Sequence, residues 1–164
     1  MELVCHFSFF HAQSSENFLL SLKLAARALI IRDGEILLVR HKNRDFYALP
    51  GGKIDPDEDI QTALAREMYE ELGVEVKNPR LKFIHEFRYP NAGEFSVEFF
   101  FLVGNPEDFL HWKNGTHTEI ELEEVIWKPV SEDFPLLPTC LKKKLKTLSG
   151  KTPIEYVVSP AERV

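Results

Sequence analysis

Residues 52–74 read GKIDPDEDIQTALAREMYEELGV, and within them Glu67, Glu70 and Glu71 stand at i, i+3 and i+4. On a helix this spacing gathers three carboxylates onto one face. Each like-charged pair there costs roughly 0.2–0.5 kcal/mol in water. The arrangement therefore calls for a positive partner, and a divalent cation fits best. Ile60, Ala63, Leu64, Met68 and Leu72 supply the apolar stripe of the same segment, which predicts a helix from Asp59 to Leu72. Asp57 is the expected N-cap, with Glu58 and Asp59 favourable in the first turn. Gly73 stands where the helix must stop. The three glutamates are expected on the side away from the stripe.

Around this helix the chain reads as strands. Ala25–Ile31 and Glu35–His41 are apolar-rich and flank Arg32-Asp33-Gly34, a hairpin pattern with an Asp-Gly turn. Pro50-Gly51-Gly52 punctuates the chain just before the helix. Leu81–Tyr89 and Phe95–Val103 are two further strands, Val125–Lys128 is a short one, and Glu155–Val158 is a last strand or packed arm. Pro138–Leu148 reads as a second helix with Pro138 in its first turn. Its Lys142-Lys143-Lys144 run reads as a solvated face. Mixed strands with two spaced helices imply an α/β or α+β layered domain.

The 164 residues suit one domain with a proper core. A net charge of −6 argues against a long nucleic-acid partner, though not against a nucleotide held locally. Cys5 and Cys140 form no metal-binding spacing or disulfide framework, so a reducing, cytoplasmic location is expected. The N-terminus lacks a basic n-region and does not read as a signal peptide. No run approaches 18 uncharged apolar residues, so no membrane span is expected.

A glutamate face binds a hard cation through oxygen. Mg2+ takes about six oxygens and usually keeps several waters, so two or three side chains suffice when a substrate phosphate completes the set. Arg66 carries only donors and is suited instead to pairing with Glu58 and holding the loop against the helix. Gly51 and Gly52, lacking Cβ, let the backbone approach a ligand closely. A Walker loop is excluded, because the Lys-Ser/Thr pair is missing.

The ordered string resembles the signature of the Nudix hydrolases, G-x5-E-x7-R-E-U-x-E-E-x-G-U, with U an apolar residue. Gly52, Glu58, Arg66, Glu67, Met68, Glu70, Glu71, Gly73 and Val74 fill every fixed position. Leu49-Pro50-Gly51 and the strand pair over 25–41 are also similar to the family, and the resemblance runs over roughly residues 24–148. It implies an α/β/α sandwich with a mixed sheet. It also implies Mg2+-dependent cleavage of a nucleoside diphosphate linked to another moiety, with Mn2+ a possible substitute. Residue by residue, it makes Glu70 and Glu71 metal carboxylates, Glu67 a metal ligand or general base, and Gly51 a carbonyl donor to metal. Arg66 would orient the carboxylates and Glu58 would anchor Arg66, while Gly52 and Gly73 are structural. Many members add a late acidic residue, here Glu119, Glu121 or Glu124, with Glu121 favoured by its spacing before Trp127.

Arg40, His41, Arg44 and Lys53 are the candidates for meeting phosphates, and Phe46, Tyr47, Phe83 and Tyr89 for stacking on a base. His85 and Glu86 are further pocket candidates. Tyr89 and Pro90 fall where the family carries contrary substrate markers, so neither decides; the expected substrate is a small nucleotide such as a nucleoside triphosphate, modified or not. An ADP-ribose or nucleotide-sugar pyrophosphatase is the runner-up. A non-catalytic nucleotide sensor is the competing class, opposed by the intact glutamates. Residues 1–23, with Phe7, Phe9 and Phe10, are expected to form an arm packing on the domain of residues 24–164 or on a partner subunit. The resemblance also suggests a homodimer.

Overall fold

The computed structural model describes residues 21–89 and 94–160. Most of the expected arm therefore lies outside the described residues, and the boundary expected after residue 23 falls inside a strand. In chain order the elements are β1 (Ser21–Leu29), β2 (Ile31–Arg32), β3 (Glu35–His41), β4 (Gly51–Lys53) and α1 (Ile60–Leu72). There follow β5 (Arg80–Tyr89), β6 (Glu94–Leu102), a 3-10 turn over Pro106–His111, α2 (Thr118–Glu121), β7 (Leu122–Pro129), α3 (Leu141–Leu145) and β8 (Glu155–Pro160). A five-stranded sheet runs β4-β1-β6-β5-β8 and a three-stranded sheet runs β2-β3-β7. The larger sheet is mixed: β1–β6 and β5–β8 are parallel, β1–β4 and β5–β6 antiparallel.

Strand alternation builds a core on each side. Ala26, Ala28, Leu37 and Phe101 face Ala63, Leu64, Met68 and Leu72 of α1. Leu29, Ile36, Leu38 and Phe100, the neighbouring positions, face Leu141 and Leu145 of α3. The result is an α/β/α sandwich with a mixed sheet, and the central strands are apolar on both faces as such a layer requires. Among the described residues no helix is long and apolar enough to cross a membrane.

Four local expectations need correction. The first strand does not fold back on β3. It ends at Leu29 and pairs with β4 and β6, leaving only Ile31 and Arg32 to close the Asp33-Gly34 hairpin. Pattern fixed the turn, whose two central residues have φ of 50° and 81°, but partner choice is a non-local matter. The N-cap of α1 is Asp59 and not Asp57: its carboxylate accepts from the N–H groups of Gln61 and Thr62, both at 2.9 Å. The last helix is only Leu141–Leu145, with Pro138 outside it. The N–H groups of Lys142, Thr147 and Leu148 reach back three residues, tightening the flanks into turns. Glu71 does not lie away from the apolar stripe; it is 1% exposed, among the buried residues of α1.

Candidate active site

The site is built where β4 meets α1. Gly51 sits at φ +125° beside β1, and a Cβ there would collide with the Ala26 carbonyl. A Cβ on Gly52 would instead enter the Glu67 carboxylate. The two glycines thus serve different purposes, one closing the strand pair and the other leaving room for an acidic group. Asp59 caps the start of α1, and Gly73, at φ 64°, ends it with its N–H on the Tyr69 carbonyl.

Arg66 ties this region together. Its Nε and Nη2 grip both oxygens of Glu58 at 3.1 and 2.7 Å, and Nη2 also reaches the Lys53 carbonyl at 2.9 Å. Nη1 bridges Glu67 Oε1 and Glu70 Oε2, each at 2.9 Å. The hydrogen bonds from Arg66 lead the causes that hold the Glu58 carboxyl below its usual range. Burial pushes the Glu67 carboxyl up, against the pull of Arg66. Burial pushes Glu71 up to about 8, although the Gly51 N–H donates to it at 2.8 Å.

A distant segment completes the acidic surface. His117 N–H donates to the Glu70 carbonyl at 2.9 Å, Lys113 N–H to that of Leu72 at 3.0 Å, and Thr118 Oγ1 to that of Glu71. These bonds use the free carbonyls at the end of α1. They bring Glu121 beside β3, where the Lys42 N–H donates to the Glu121 carbonyl at 3.0 Å. One ligand atom each from His41, Glu71 and Glu121 lie within 4.8 Å of one another. Of the three late acids, Glu119 bonds Asn114 at 2.9 Å, and Glu124 is held by Tyr47 Oη at 3.0 Å and Arg40 at 3.1 Å. Glu121 is the one that meets the helix glutamates.

The remaining candidates scatter. Arg40 is engaged by Glu123 and Glu124. Arg44 is exposed and lies over the half-buried Phe46 ring at 5.9 Å, and Lys53 is exposed beside the site. Phe83 is 1% exposed within the core facing α3, which removes it as a base-stacking surface. His85 is buried and meets Ser159 Oγ at 2.6 Å, a packed histidine of β5 rather than a lining group. The Tyr89 side chain and Pro90 lie outside the described residues. Sequence inspection missed Arg27, which binds Glu98 at 3.3 Å and donates through Nη1 to the Gly51 carbonyl. It also missed His117, whose Nδ1 lies 3.4 Å from Glu70 and 3.7 Å from Glu121. The i,i+4 spacing of His117 and Glu121 was the available signal; Arg27 gave none beyond a lone charge in an apolar strand.

The donor set fits a divalent cation. Glu71 is a carboxyl only 1% exposed, and burying a charge is costly unless it is paired. A cation against Glu71 and Glu121 supplies that pairing. The fold and the acidic cluster together define an α/β/α sandwich whose β4–α1 region could hold a metal ion. The NUDIX domain family model matches residues 22–144, and the chain belongs to that family. It is 44% identical over 118 residues to a CTP pyrophosphohydrolase from Escherichia coli, spanning 68% of this chain and 80% of that protein. It is 28% identical over 127 residues to an ADP-ribose pyrophosphatase from Methanocaldococcus jannaschii, spanning 56% and 75%. Matches to two further relatives span only 42% and 40% of those proteins' length. The solution structure of the E. coli ORF135 protein superposes with a TM-score of 0.63 at 27% identity, covering 83% of this chain and 96% of that one.

Proposed function

We propose that the protein is a Mg2+-dependent pyrophosphohydrolase, with Mn2+ able to substitute, that cleaves the diphosphate of a small nucleotide such as a nucleoside triphosphate. The observation that carries this is the meeting of His41, Glu71 and Glu121, with Glu71 on the Gly51 N–H and with Glu67 and Glu70 tied to Arg66 on the same helix. The similarity to a CTP pyrophosphohydrolase supports the triphosphate class. Gly51 O, Glu67, Glu70, Glu71 and Glu121 would hold the metal, which when bound supplies charge neutralisation on the phosphates and acidifies water.

The chain's own groups do the rest. Arg66 fixes Glu67 and Glu70 at a shared distance and is itself clamped by Glu58, so the acidic face is set before substrate arrives. A carboxylate of this face takes the proton of the attacking water. Glu67 and Glu70 are suited to that role, because Glu71 is shut away from solvent. Lys53, exposed next to the Gly51-Gly52 backbone, is the candidate to meet phosphate oxygens, while Arg27 is held by Glu98 and the Gly51 carbonyl. Arg44, Phe46 and Tyr89 are left for the base or the leaving moiety, with Arg40 held back by its own carboxylate partners. A cytoplasmic homodimer completes the proposal, with light scattering as its check.

The test is a panel of nucleoside triphosphates, ADP-ribose and nucleotide sugars with Mg2+, repeated with Glu70→Gln. Pyrophosphate release from a triphosphate, lost in the variant and in chelator, is the expected result. AMP from ADP-ribose with no pyrophosphate from any triphosphate would transfer the assignment to the runner-up. Ligand binding without metal-dependent turnover would make the protein a sensor.

A further inference from the structure

We propose that His41 is a nitrogen ligand of the metal centre, forming with Glu71 and Glu121 a mixed imidazole–carboxylate set that favours Co2+-, Ni2+- or Zn2+-type ions over Mg2+. This rests on the metal-dependent reading above and extends it to the choice of ion.

Three observations lead there. The first is placement: His41 ends β3, and one of its ring nitrogens lies within 4.8 Å of carboxylate oxygens of both Glu71 and Glu121. Among the described residues the ring makes no hydrogen bond of its own. The second is how β3 ends. Arg40 pairs with Glu124 but His41 pairs with Leu122, so one residue of β7 is skipped between them. Such a bulge re-aims the side chains beyond it. Arg40 stays with Glu123 and Glu124, while His41 joins the Glu71 and Glu121 carboxylates. The backbone bond from Lys42 to Glu121 then locks the two segments together at that point. The third is Glu71 itself: a carboxylate 1% exposed whose supplied donor is the Gly51 N–H. A cation shared with His41 and Glu121 satisfies the remaining charge.

Ligand chemistry turns this geometry into a preference. Mg2+ seeks an all-oxygen octahedron and gains little from imidazole. Imidazole suits zinc, copper, iron and nickel, and affinity for such mixed donors rises through the later first-row ions. His117 is the internal control. Its Nδ1 lies 3.4 Å from Glu70 and 3.7 Å from Glu121, and it is not part of the His41, Glu71 and Glu121 group.

The test is pulsed electron paramagnetic resonance on the full chain loaded with Mn2+ alone. A directly bound 14N coupling is expected, replaced by a 15N coupling when the protein carries 15N-histidine. The coupling is expected to vanish in His41→Gln and to persist in His117→Gln. Calorimetry should show Co2+ binding weakened about tenfold or more in His41→Gln, with Mg2+ binding altered by less than about twofold. His41→Asn serves as a second variant should the first fail to fold. No nitrogen coupling in the wild type, a coupling that survives loss of His41, or equal weakening of both ions would overturn the inference. Metal-dependent turnover with Mn2+ held only by oxygen would sink this inference and leave the proposed function standing. Nitrogen coupling without turnover of any nucleotide would do the reverse.

Discussion

Glu71→Gln separates what the fold needs from what the site needs. The Glu71 carboxyl has an ordinary value of 4.5 and is pushed up to about 8, mainly by burial. The folded, metal-free protein therefore binds this proton more tightly than the unfolded chain does. The sign follows: stability from this group is full below pH 4.5 and is lost as pH rises toward 8. At pH 7 the unfolded chain is about two and a half pH units past its own titration while the folded protein has barely begun. At about 1.36 kcal/mol per unit the loss is about 3 kcal/mol, growing to a plateau near 5 kcal/mol above about pH 9. The substituted glutamine keeps an acceptor for the Gly51 N–H and carries no proton to lose. Urea unfolding in chelator at about pH 5, 7 and 8.5 reads the difference. The variant should match the wild type near pH 5 and exceed it by about 2–3 kcal/mol at pH 7. Saturating Mg2+ should narrow the gap by stabilising the wild type. Identical pH profiles for the two proteins in chelator would refute the claim that Glu71 is a costly buried carboxyl in the metal-free fold.

Other outcomes follow from single contacts. Gly52→Ala should leave the melting temperature within a few degrees, since the new Cβ displaces only the flexible end of Glu67, yet abolish Mg2+-dependent turnover. Gly51→Ala meets the Ala26 backbone at a positive φ and should unfold or severely destabilise the domain, as thermal melts would show. Glu121→Gln should weaken metal binding about tenfold by calorimetry while Glu119→Gln changes it little, because only Glu121 reaches His41 and Glu71. Phe83→Ala should cost about 3–5 kcal/mol in urea unfolding with the Michaelis constant unchanged, as befits a core ring rather than a substrate platform.

Sequence by itself determined the local parts. The extent of α1 was readable because its stripe has a 3.6-residue period and its stop is a glycine, and β5, β6, β7 and β8 announced themselves through apolar runs set between turn residues. The acidic signature was readable for the same reason, since Glu67, Glu70 and Glu71 are neighbours on a single helix. Only the tertiary structure decided what those residues face. It sent β1 to β4 and β6 instead of back on β3, buried Glu71 while leaving Glu67 and Glu70 half-buried, and brought Arg27, His41, His117 and Glu121 to the site from outside the helix. Periodicity and capping act over a few residues and are written along the chain. Strand partnership, burial and long-range charge contacts depend on how distant segments share one core, and no local pattern carries that information.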